Sequence, residues 1–295
     1  MQAKVKEWPK FNILASNRRS KTCMQPYVAR PGYKLVFQDV VAAEMMFLLN
    51  FCDDPNLKAI LFDYQGKRPE WKDGILFTDS VYITGTSRTD FMRRRIDEVQ
   101  KATKEDFCDF YARDSGAAKK ALGVHYDVGK MIVLALIYGL QGFGVCRQMG
   151  ERGFPVSKQY GEKFYNDFWS SFEVAHDFSK RMVYLMTKAF AAGRPILNPF
   201  GTPIPSGKPK DAMNRVIQSS VSTFIRSLEK ELFPCDFAEL LLVVHDEAGM
   251  EVREDSIERW RVHHLAALAR VNELYQLTYP IQMGFSVGGS FYECK

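Results

Sequence analysis

Two acids in this chain stand where hydrophobic, β-prone runs end, a placement suited to holding a hard cation. Asp39 follows the run 33–38, YKLVFQ, and Asp246 lies between the two apolar halves of 240–252, LLLVVHDEAGMEV. Carboxylates at the tips of adjacent strands make an all-oxygen set for magnesium, which keeps several waters and takes one or two protein carboxylates plus substrate phosphates. Such a pair could hold two ions about 3.5 to 4 Å apart, one activating an attacking oxygen and the other stabilising a leaving phosphate. Both acids also have an ordinary reading, Asp39 as the cap of the helix that follows and Asp246 as a turn residue.

Lys130, Leu134 and Tyr138 stand at i, i+4 and i+8, so on a helix they line one face. A lysine there can meet phosphates as a point charge, and an aromatic ring can pack on a base or sugar. A lysine at a helix start and a core tyrosine are equally ordinary.

The elements that must carry these groups follow from the patterning. The first thirty residues are polar and basic and end at the turn signal Pro31-Gly32. The strand 33–38 gives way at Val41 to a helical spacing, AAEMMFLLNF, closed by Asp53-Asp54-Pro55, which puts Asp39 at a strand-to-helix junction. Residues 62–90 are turn-rich and aromatic, whereas 91–122 interleave acids and bases like a solvated helical insert. A long helix is expected over 126–149, broken or bent where Gly139, Gly142 and Gly144 fall. Helices with aromatic faces are expected over 156–192, then a surface hairpin or connection over 195–210, which holds five prolines. A helix over 211–232, a hairpin with His245-Asp246-Glu247 at its tip, a helix over 256–275 and a strand over 281–286 complete the chain.

The bulk properties permit this chemistry without requiring it. The 295 residues are 46% hydrophobic, enough for a substantial core, and the formal net charge is +5. A mildly basic chain suits a phosphate-rich partner, but many basic proteins never touch nucleic acid. The six cysteines are scattered with no C-x-x-C pair, which argues against a zinc site and for reduced thiols. No basic start is followed by an apolar stretch and no long apolar run occurs, so no membrane partner and a cytoplasmic location are expected.

Taken in order, the segments resemble the three motifs of family A DNA polymerases, the bacterial DNA polymerase I type. FQDVVAAEMMFLL resembles the first, with Asp39 followed five residues later by Glu44. Lys130, Tyr138-Gly139, Phe143-Gly144 and Arg147-Gln148 resemble the fingers helix and the turn behind it. LLLVVHDEAGMEV, with His245-Asp246-Glu247 in a hydrophobic hairpin, resembles the third. Between these, Asn214 and Gln218 look like the family's Asn-x3-Gln helix, and PIQMGFSVGGSFYECK looks like its closing strand. The similarity runs from about Asn12 to the C-terminus.

The resemblance implies an α+β fold, an antiparallel palm sheet carrying the catalytic acids with a helical fingers subdomain. It divides the chain into an N-terminal segment and first part of the palm (1–50), fingers with a charged insert at 83–125 (51–192), and the remaining palm with the closing strand (193–295). It implies DNA synthesis from dNTPs on primer-template DNA with two Mg2+ ions, Mn2+ being a possible substitute. Asp39 and Asp246 would bind metal, Lys130 the triphosphate, and Tyr138 with Gly139 would border the nascent base pair. Glu44 would exclude a ribose 2′-hydroxyl, since a carboxylate and a ring over the sugar leave it no volume. Glu247, His245, Asn214 and Gln218 would support the primer end and duplex.

The chain departs from the family at Val41 and Ala42, where serine and glutamine are usual, at Tyr126, where arginine is usual, and at Leu134, where phenylalanine is usual. The family's phosphate-contacting histidine is not evident; Arg93, Arg94 and Arg95 are candidates to assist the triphosphate. In relatives a long region supplying the thumb and a 3′–5′ exonuclease precedes the first motif, whereas Asp39 lies near the start here. The expectation is a thumbless half of a split polymerase of bacteriophage style, completed by a second polypeptide in an infected bacterial host. The alternatives are a single-subunit RNA polymerase, against which Glu44 argues, and a non-catalytic polymerase-derived DNA-binding subunit.

Overall fold

The run that ends in Asp39 is a strand, and it lies inside a sheet. A computed structural model describes residues 27–40, 42–61, 70–72, 75–77, 134–151, 156–205, 207–244 and 246–294. In chain order the elements are β1 (Tyr33–Val40), α1 (Ala43–Cys52), α2 (Pro55–Leu61), β2 (Glu70–Lys72), β3 (Ile75–Phe77), α3 (Gly142–Glu151), α4 (Lys158–Ser171), α5 (Glu173–Ala191), β4 (Ile196–Leu197), β5 (Pro203–Ile204), α6 (Ala212–Leu232), β6 (Ala238–Val244), β7 (Glu247–Arg253), α7 (Ile257–Leu274) and β8 (Met283–Gly288). Short 3-10 turns at Pro209–Asp211 and Glu254–Ser256 precede α6 and α7. The fold is α+β, in two units, Met1–Ala43 with Val221–Lys295, and Glu44–Ser220.

The first unit is built on an antiparallel sheet of order β6-β7-β1-β8. Side chains alternate between its faces. Val36, Gln38 and Val40 of β1 share one face with Ala248, Met250 and Val252 of β7, all buried. α7 packs on β7, burying Trp260, His264, Ala267 and Val271. The last turns of α6 join it, with the Ser227 and Tyr275 hydroxyls 2.6 Å apart and His263 Nε2 3.1 Å from the Leu232 carbonyl.

The other face carries Leu35, Phe37 and Asp39. Leu35 and Phe37 are covered by Ala29, Phe291 and Cys294, with the Phe37 and Phe291 rings edge to face at 4.6 Å. Phe37 lies directly opposite Gly249, and a Cβ built there would stand 2.5 Å from the Phe37 ring. A glycine inside a strand often marks such a close approach.

The second unit is mainly helical. Met46, Phe47, Leu48 and Leu49 are consecutive and all buried, so α1 is enclosed on more than one face. Phe47 and Phe51 each meet Phe200 at 5.8 Å, and Phe51 meets Phe178 at 6.2 Å. Asp54, read from sequence as part of a helix stop, opens α2: its Oδ1 accepts the Asn56 and Leu57 N–H groups and its Oδ2 accepts the Ala175 N–H. One buried carboxylate thus ties the start of α2 to the start of α5. The proline-rich connection forms the small β4–β5 hairpin and the turn before α6.

Of the helix expected over 126–149, the described part is helical at 134–137, turns at Tyr138-Gly139 and resumes as α3. Gly139 makes the break with φ of +96°, while Gly142 opens α3 and Gly144 lies within it. The insert at 83–125, including Arg93, Arg94 and Arg95, lies outside the described residues. Burial raises the thiol pKa values of Cys52, to about 12, and Cys294, to about 11, so both stay protonated and unreactive.

His264 is 2% exposed, between the rings of Trp260 (6.4 Å) and Phe285 (5.4 Å). Burial, followed by the charge of His263, lowers its pKa from the ordinary 6.5 to about 4. The folded value lies below the unfolded one, so the neutral ring's contribution is complete above pH 6.5 and is lost as pH falls towards 4. His264→Phe should therefore flatten the acid limb of stability, removing roughly 3 kcal/mol of pH dependence; equal urea midpoints at pH 4 and pH 7 in the unsubstituted chain would contradict this. Gly249→Ala should destabilise by about 1–3 kcal/mol through overpacking against Phe37, read as a lower denaturant midpoint, and a change below about 0.5 kcal/mol would contradict the close approach.

Candidate active site

The acids of the first unit are brought together by strand register. β1 and β7 pair antiparallel so that Asp39 stands directly opposite Glu247. One step further the Val40 N–H donates to the Asp246 carbonyl at 3.1 Å, which fixes the hairpin tip against the end of β1. Asp39, Asp246 and Glu247 thus fall within one register step on two adjacent inner strands. Asp39 is exposed, Asp246 is partly buried and Glu247 is buried.

On its other flank Asp39 faces Gly284 of β8. A Cβ added there would meet only the Asp39 backbone carbonyl, at 3.8 Å. This glycine was not singled out in the sequence, although an isolated glycine within a strand pattern was the available signal.

Directly opposed like charges on adjacent strands are unfavourable unless a cation lies between them. The same face shows how the fold handles such a pair. Glu239 and Glu251 are also opposed in register, and Arg30 spans them, at 2.6 Å from Glu251 and 3.0 Å from Glu239. The Arg30 N–H adds a bond to Glu251 at 2.8 Å, and the guanidinium lies 4.4 Å from the Tyr33 ring centre. Sequence reading missed this staple, because the pairing follows only from the register.

Among the described residues no group of three or more His, Cys, Asp or Glu side chains is placed to hold a metal. The two aspartates are an oxygen-only pair, the number of protein ligands magnesium needs when waters and phosphates complete its shell. The donor chemistry therefore fits that ion.

In the second unit Glu44 lies in the first turn of α1, half buried, where a negative charge is favoured by the helix dipole. Ala42, immediately before α1, has φ of +51°, an uncommon left-handed conformation for a residue with a side chain. Asn214 and Gln218 lie one turn apart near the start of α6, the first half buried and the second exposed. Leu134, Tyr138 and Gly139 are each half buried at the turn before α3. The Gln218 side-chain amide donates to the Tyr138 hydroxyl at 3.1 Å, a bond between residues 80 positions apart that no sequence pattern signals. Lys130, Tyr126 and His245 lie outside the described residues, as does Val41. Among the described residues no helix is long and apolar enough to cross a membrane.

No protein-family model matches this chain, and no curated protein matches it. Among solved structures it is similar to the POL domain of Pol1 from M. smegmatis, determined in complex with DNA primer-template and dNTP, with a TM-score of 0.60 and 17% sequence identity. The match covers 90% of this chain and spans 41% of that one. At that identity the likeness is one of fold: an antiparallel sheet with attendant helices, of the kind found in a DNA polymerase domain.

Proposed function

We propose that this chain catalyses template-directed DNA synthesis, adding deoxynucleotides from dNTPs to a primer 3′ end. The observation that carries the reading is the register of β1 with β7, which sets Asp39 against the Asp246-Glu247 tip, in a fold similar to that of a polymerase domain. The order Asp39, Lys130, Tyr138, Asp246 along the chain supports the same assignment.

In this mechanism Asp39 and Asp246 are the ligands for two Mg2+ ions, for which Mn2+ can substitute. Held by these carboxylates, such ions would supply Lewis-acid activation of the primer 3′-hydroxyl and balance for the charge of the departing pyrophosphate. The chain's own residues do the rest. Asp39 projects from the end of β1, flanked in register by Gly284. Glu247 lies buried directly opposite it on β7, at the hairpin tip. Lys130 neutralises the triphosphate, with Arg93, Arg94 and Arg95 in support, and Tyr138 with Gly139 borders the nascent pair. Glu44 rejects a ribose 2′-hydroxyl, and His245, Asn214 and Gln218 support primer and template.

Magnesium-dependent primer extension, run with and without co-purifying proteins, tests the reading. Asp39→Asn and Asp246→Asn should each lower the rate by several powers of ten, because a misplaced metal forfeits several kcal/mol of transition-state stabilisation. Activity surviving either change would overturn the assignment. Extension only with ribonucleotides would favour an RNA polymerase, and DNA binding without extension would favour a non-catalytic subunit. Glu44→Ala should admit ribonucleotides more readily, and unaltered discrimination against them would remove Glu44 from the sugar site.

A further inference from the structure

Tyr138 is fixed from two directions. Its own turn is closed by the Tyr138 N–H to the Leu134 carbonyl and the Gly139 N–H to the Leu136 carbonyl, both at 2.9 Å. Gly139, at φ of +96°, lies so close to the chain before α6 that a Cβ would stand 2.7 Å from the Lys210 carbonyl oxygen. Only glycine meets both conditions, the positive φ and the lack of room. The second hold comes from α6, where Gln218 reaches the Tyr138 hydroxyl at 3.1 Å. The helix offering that amide is itself anchored, since Ala212, Met213, Val216 and Ile217 are all buried.

We propose that Gln218 is a positioning residue whose amide latches the Tyr138 hydroxyl, so that the ring is set before a nucleotide arrives. The proposal rests on the reading of Tyr138 as the border of the nascent base pair, and it gives Gln218 a protein partner in addition to duplex. A half-exposed phenol without a partner would sample several rotamers and would have to be ordered on binding. Ordering it in advance lowers that cost, and the benefit appears in nucleotide affinity rather than in chemistry.

The test is a double-substitution cycle with Gln218→Met and Tyr138→Phe, each preserving side-chain bulk while removing one end of the bond. Primer extension should show KM for the dNTP raised about fivefold by either change, the size of one lost hydrogen bond. The turnover number should stay within about twofold, and the double variant should be no worse than a single one. Multiplying KM effects would overturn the latch. So would weakened primer-template binding in Gln218→Met alone, with Tyr138→Phe silent. A second readout does not depend on activity. With 3-fluorotyrosine at all 13 tyrosines, the resonance that disappears in Tyr138→Phe should shift in Gln218→Met, and an unmoved resonance sinks the proposal. If the unsubstituted chain extends no primer, the polymerase reading fails, and the fluorine signal still decides whether the latch exists.

Discussion

Everything proposed for the acids depends on the antiparallel register of β1 with β7, from Tyr33 opposite Arg253 to Asp39 opposite Glu247. A slip of one residue would move every side chain of β1 to the other face. Asp39 would then point at the helix-packed side, where α7 buries Trp260 and Val271, and an unpaired carboxylate there would be desolvated at large cost. Two features oppose that slip. Phe37 needs the space left by Gly249, and the apolar Val36 and Val40 need the helix side. The carboxylate's placement is therefore a by-product of core packing a few residues away.

The same face carries two pairs of opposed acids, Glu239 with Glu251 and Asp39 with Glu247. Glu239 and Glu251 share Arg30, a covalent part of the protein, so their charge is balanced permanently. That balance exists only because the register of β6 with β7 sets the two glutamates side by side within reach of one guanidinium.

Much of this was legible in the sequence because it depends on local pattern. The β-prone run 33–38, the hairpin around Asp246, and the helices over 211–232 and 256–275 each announce themselves by periodicity, and each appears with ends shifted by a few residues. What was not legible depends on residues meeting across the chain. Arg30 reads as one of many basic residues until register brings Glu239 and Glu251 together. Asp54 reads as part of a helix stop, yet it accepts from the Ala175 N–H, 121 positions away. Gly284 looks like a weak point in a strand and proves to stand directly opposite Asp39. The Tyr138–Gln218 bond has no sequence signal, because the two residues lie 80 positions apart and each has an ordinary reading on its own.

Ala42 stands at a strained point of the backbone. Ala42 is held at φ of +51°, a conformation costing an L-residue roughly 1–2 kcal/mol. Such strain persists only where the surroundings over-determine it. On one side Val40 is pinned through its N–H to the Asp246 carbonyl, and on the other the buried run Met46 to Leu49 anchors α1.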